Sequence, residues 1–160
     1  MIAAGKFVQQ LIEQGIREAR DDRSPVVEAH HLLLAIPAEP EGDPARALAS
    51  VGLDRPSIRA ALDHEFAHSL RTVGVSLADF ELPRPANSPE PPNQLGASAK
   101  LALERGFASA ARRKELRPAH LLLGILQAEV GTVPRALALA GVDRSELMVR
   151  VLDTLTDTGD

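Results

Sequence analysis

The chain contains no cysteine, tryptophan or tyrosine, and only four phenylalanines among its 160 residues. Without cysteine there is no disulfide, no thiolate metal site and no cysteine nucleophile. Without large aromatics the core has to be aliphatic. Positive charge is not in excess: the formal net charge is -4. Phosphate binding needs a basic face, so no nucleic-acid partner is expected. No apolar run approaches the roughly 20 residues of a membrane-spanning helix. The opening Met1-Ile2-Ala3-Ala4-Gly5-Lys6 lacks the charged-then-apolar order of a signal peptide. These absences lead us to expect a soluble, cytoplasmic protein with no membrane partner. The chain also lacks a Gly-x-x-x-x-Gly-Lys-Ser/Thr phosphate loop, so no ATPase engine and no nucleotide are expected; no cofactor is expected either. The alternation that marks strands is missing throughout.

What is present is a repeat. His31-Leu32-Leu33-Leu34-Ala35-Ile36 recurs 89 residues later as His120-Leu121-Leu122-Leu123-Gly124-Ile125. At the same offset Arg46-Ala47-Leu48-Ala49 matches Arg135-Ala136-Leu137-Ala138, Gly52 matches Gly141, and Asp54-Arg55 matches Asp143-Arg144. Three consecutive leucines cover most of a helix circumference, so each such helix must be buried on several sides. This reading puts Leu33 and Leu122 in the core and predicts two small cores, one per repeat. Hydrophobic residues make up 44% of the chain, enough to fold.

Taken in order, Phe7, Leu11, Ile12, Ile16 and Ala19 form one stripe of a helix from Lys6 to Arg20. The first leucine helix begins near Glu28 and stops at Pro37. Pro44 suits the first turn of a third helix, and Gly52 its left-handed cap. Asp54 caps a fourth helix that runs to about Leu70. A short helical piece to Phe80 follows, then the proline-rich segment from Pro83 to Asn93, read as an extended linker. The second repeat begins with a helix from Ser98 to Arg113, with Leu101, Leu103, Phe107, Ala108 and Ala111 as its core candidates. A further helix from Val133 ends at Gly141, and Asp143 with Glu146 starts the last one. The division is 1–82 for the first repeat and its insert, 83–94 for the linker and 95–160 for the second repeat.

The doubled His-Leu-Leu-Leu helix, each copy followed by Gly-x-x-x-Arg-Ala-Leu and Gly-x-Asp, resembles the amino-terminal (Clp-N) domain of Clp unfoldases such as ClpA, ClpB and ClpC. The resemblance implies an all-α fold of two pseudo-symmetric four-helix repeats. It also implies a non-enzymatic module that binds Clp unfoldase or protease components, adaptors or unfolded substrates, here standing alone without ATPase modules. In the resembled family the first helices of the two repeats flank a peptide-binding surface, and the matching positions here are Gln9, Ile12, Lys100 and Leu103. ClpC-type domains carry a glutamate before each repeat's histidine to receive the guanidinium of phosphoarginine. Here those positions are His30 and Ala119. Neither accepts a guanidinium as a carboxylate does, so phosphoarginine recognition is not carried over. Arginine greatly outnumbers lysine, a bias common in GC-rich bacterial genomes.

Three further features have both a functional and a plainer reading. His64-Glu65-Phe66-Ala67-His68 matches the H-E-x-x-H zinc-hydrolase helix, with two imidazoles on one face and a glutamate to polarise water. The third-ligand candidates, Glu81 and Glu90, stand in or beside the proline segment, so the motif reads as the tail of the fourth helix. His31 and His120 recur in both copies. A role in holding the fold explains a doubled histidine better than catalysis, which needs one site. His30 reads as a surface residue. Arg112-Arg113-Lys114 reads as a solvated helix end.

Overall fold

The computed structural model describes residues 4–40, 42–74 and 94–156. The proline-rich linker, the short helical piece near Phe80, Glu81 and Glu90 lie outside the described residues. Among the described residues eight α-helices form: α1 (Ala4–Asp21), α2 (Ala29–Ala35), α3 (Asp43–Ala49), α4 (Arg55–Thr72), α5 (Ala97–Ser109), α6 (Pro118–Leu126), α7 (Thr132–Leu139) and α8 (Arg144–Thr156). Short 3-10 turns occupy Ile36–Ala38 and Arg113–Glu115. Among the described residues the nearest thing to a strand is a single parallel bridge between Val27 and Leu95, at the entrances to α2 and α5. Among the described residues no helix is long and apolar enough to cross a membrane. The fold is all-α and doubled.

The local signals repeat with the fold. Asp54 Oδ1 accepts the Ser57 N–H at 2.9 Å to start α4, and Asp143 Oδ1 accepts the Glu146 N–H at 3.2 Å to start α8. Gly52 and Gly141 close α3 and α7 with φ of 81° and 76°, where a side chain would be strained.

The two repeats do not keep separate cores. The third helix of each packs on the fourth helix of the other, α3 on α8 and α4 on α7, while α2 and α6 meet in the middle. The buried residues, Leu33 and Leu122 among them, therefore form one continuous cluster instead of the two expected. A leucine helix apolar on nearly all sides needs more cover than its own repeat supplies, and the exchanged helices supply it.

The second repeat's first helix differs from the expected stripe. Its buried face is Ala99, Ala102, Leu103 and Gly106, whereas Leu101 and Phe107 stand 44% and 47% exposed and Ala108 and Ala111 are exposed. The cause is a close helix crossing. A Cβ at Gly124 on α6 would lie 2.1 Å from the Ala102 carbonyl oxygen and 2.5 Å from the Gly106 nitrogen. Only small residues fit there, so the large ones turn outward. α5 also ends four residues short of Arg113, where the Ser109 hydroxyl donates back to the Gly106 carbonyl. Gly15 and Gly106 show the register: each faces the first leucine of its repeat, Leu32 or Leu121.

Candidate functional site

Both repeat histidines act as helix caps. Nδ1 of His31 accepts the Glu28 backbone N–H at 2.9 Å, and Nδ1 of His120 accepts the Arg117 N–H at 2.9 Å. Each ring thus satisfies a donor left open at the start of a buried helix. Burial, followed by the Arg117 charge, holds His120 below the ordinary histidine value. The His31 ring is 1% exposed, and its Nε2 lies 3.1 Å from Asp22 Oδ2. Asp22 in turn accepts from Arg59 at 2.9 Å. Burial opposes ionisation of Asp22, but the His31 and Arg59 interactions outweigh it and hold the carboxyl below its usual range.

The His30 ring packs against this fixed ring at a tilt of 46°, with centroids 4.1 Å apart. It is half-buried, not a surface residue, and has no hydrogen-bond partner among the described residues. Burial, then the neighbouring His31, lowers its pKa to about 4, so it is neutral at pH 7.

Asp22, His30 and His31 bring potential ligand atoms within 4.8 Å of one another. The cluster is nonetheless a poor fit for a metal. Nδ1 of His31 accepts an N–H, so the ring proton sits on Nε2, the nitrogen that faces Asp22. A histidine ligand normally donates its second nitrogen's proton outward. His31 would have to break its helix cap to do so.

The H-E-x-x-H segment is divided by its helix. Glu65 points inward, 4% exposed, where it accepts from Ser69 Oγ at 2.6 Å and Arg135 Nε at 2.8 Å. Burial opposes its ionisation, but these two partners outweigh it and keep the carboxyl below its usual range. His64 and His68 are exposed. The glutamate that a hydrolase would aim at water is committed to the helix pairing instead.

The cavities are related by the repeat. One of about 350 Å³ lies between α1, the end of α2 and the start of α3, and Pro118 of the other repeat closes it. Another of about 590 Å³ lies between α5, the end of α6 and the start of α7, closed by Ala29. The linings correspond: Gln10 with Leu101, Gln14 with Arg105, Ile36 with Ile125, Gly42 with Gly131. A third cavity of about 430 Å³, beside the His31 network, adjoins the larger one, because His30 and Thr132 line both.

Sequence reasoning missed most of these lining residues. Gln9 and Lys100 are exposed, Ile12 is half-buried and Leu103 is buried, and none of the four lines these three cavities. His30 lines two of them, while Ala119 is 1% exposed inside the core. The offset between α1 and α5, 91 where the later helices keep 89, is the signal that pairs Gln14 with Arg105. It follows from a path between equivalent positions that is two residues shorter in the second repeat, 15 from Gly106 to Leu121 against 17 from Gly15 to Leu32.

No family model and no curated protein matches the sequence. Among solved structures, the chain is similar to the N-terminal domain of the caseinolytic protease-associated chaperone ClpD from Arabidopsis thaliana. Identity is 18%, coverage is 92% of this chain and 90% of that one, and the TM-score is 0.61. The doubled helical arrangement is thus the fold of the ClpD N-terminal domain.

Proposed function

We propose that this chain is a protein-interaction module of Clp-type protein quality control, which takes polypeptide segments into its two repeat-related cavities. The observation that supports the reading is the pair of matching cavities in a fold shared with the N-terminal domain of a protease-associated chaperone. Cavities of about 350 and 590 Å³ fall in the volume range of ligand pockets. A module of this kind, as an adaptor, decoy or regulator, acts by occupying, delivering or withholding a partner.

The test is affinity capture on the immobilised protein from an extract of its native host, with bound proteins identified by mass spectrometry. Clp ATPase or peptidase subunits, or their adaptors, should be recovered. Recovery should fall when the cavity rim is charged by Leu101→Glu with Val130→Glu, two exposed positions that should not disturb folding. Capture of no Clp component, or capture indifferent to the rim variant, contradicts the reading.

A further inference from the structure

The two cavities match in position but differ in chemistry. In the smaller one Gln14 is satisfied within its own helix. Gln14 donates to Glu18 at 3.2 Å and accepts from Arg17 at 3.0 Å. In the larger one the position of Gln14 is taken by Arg105. That arginine is half-buried and has no hydrogen-bond or ion-pair partner among the described residues.

Much of the rest of the larger cavity is apolar. Its floor is Ala102, Gly124 and Ile125, and its rim carries Leu101 and Val130, 44% and 85% exposed. Apolar side chains left in water beside a cavity mark an interaction surface. Four other ionisable groups line it. Arg135 is tied to Glu65, and Glu28 accepts from the Ser98 hydroxyl at the start of α5. His30 is neutral at pH 7, and Glu129 stands exposed at the rim, where water screens it. Arg105 is thus the cation of the cavity that has no acidic partner among the described residues, and the lower dielectric strengthens its attraction for an anion.

We infer that Arg105 makes the larger cavity selective for a polypeptide segment in which an apolar side chain is flanked by a carboxylate. The apolar group rests against Leu101, Ile125 and Val130, and the carboxylate pairs with the guanidinium, which is suited to bidentate acceptance. This inference rests on the interaction reading above and names the chemistry of one of its two sites.

The experiment measures fluorescence anisotropy with three labelled peptides, alike except that a central leucine is flanked by aspartates, asparagines or lysines. The aspartate peptide should bind about tenfold more tightly than the lysine peptide, with the gap narrowing as salt is added. Arg105→Gln should abolish the preference while keeping the asparagine peptide bound, which also reports that the variant is folded. Arg105→Glu should reverse the order, and Arg71→Gln, at an exposed position outside the three cavities, should leave it unchanged. Equal binding of all three peptides, or a lysine preference in the unaltered protein, overturns this inference and leaves the interaction reading standing. Failure of all three to bind overturns both.

Discussion

Arg135 on α7 donates its Nε hydrogen to Oε1 of Glu65 on α4 across 2.8 Å, and so joins the third helix of the second repeat to the fourth helix of the first. The carboxylate is buried and the guanidinium half exposed. Removing the arginine strands an anion that water cannot reach, whereas removing both charges strands nothing. Because Arg135 is partly in water, the cost should be less than for a fully buried pair. Arg135→Ala should therefore destabilise by about 1–3 kcal/mol, and Arg135→Ala with Glu65→Gln by less than the single change. Urea titrations of the four-variant cycle check this. Strict additivity would show that the pair is not coupled.

The crossing of α5 and α6 gives a second prediction. Gly124→Ala places a methyl 2.1 Å from a backbone oxygen, and backbone cannot swing aside as a side chain can. The helices must separate, at a cost of about 3 kcal/mol or more. Gly5→Ala, on α1 with open space around it, serves as the control and should be neutral or slightly stabilising. Equal melting temperatures for the two variants would mean that the helices are not in close contact.

The leucine helices should carry much of the stability. Leu33 and Leu122 are 1% and 0% exposed. Truncating either to alanine should cost roughly 2–5 kcal/mol, a large share of the ~5–15 kcal/mol typical of a folded domain. Because both belong to one core, each variant should still unfold in a single transition. Two separate transitions by circular dichroism would indicate that the repeats melt independently.

His30 makes stability depend on pH. Its folded pKa of about 4 lies below the 6.5 of an unperturbed histidine, because burial disfavours the charged ring. Between these values the unfolded chain binds the extra proton, so stability is fully present above pH 6.5 and declines as pH falls toward 4. His120, also lowered, acts in the same direction. Replacing His30 with Gln should remove one share of the decline, on the order of 2–3 kcal/mol. Denaturant titrations at pH 7 and pH 5 on both proteins measure that share. Identical pH dependence in the two would rule out His30 as the source.

Free phosphoarginine should not bind below millimolar concentration. A neutral imidazole at His30 offers one lone pair to a group that wants a bidentate anionic acceptor, and Ala119 is sealed in the core. Leaving a guanidinium unpaired costs on the order of 1–3 kcal/mol or more. Calorimetry decides the matter: micromolar affinity in the unaltered protein would refute this account. Any rescue has to come from His30→Glu, because a glutamate at position 119 would bury its charge.

The sequence by itself determined what is local or repeated. The 89-residue offset paired the leucine helices, Asp54 and Asp143 announced helix starts, and Gly52 and Gly141 announced helix ends, because caps and turns depend on a few adjacent residues. The missing strand pattern left an all-α chain. Tertiary structure decided what depends on neighbours distant in the chain. A helix apolar on several sides does not say which element covers each side, so the exchange of α3 and α4 with α7 and α8, and with it the single core, was invisible. Periodicity picked for α5 a face of larger residues, with Leu101, Leu103 and Phe107 among them. The backbone approach at Gly124 selected the small-residue face instead and left Leu101 and Arg105 at the larger cavity. His30, polar and beside a core histidine, looked like surface. Only the packing of α2 against the partner repeat made it the wall between two cavities.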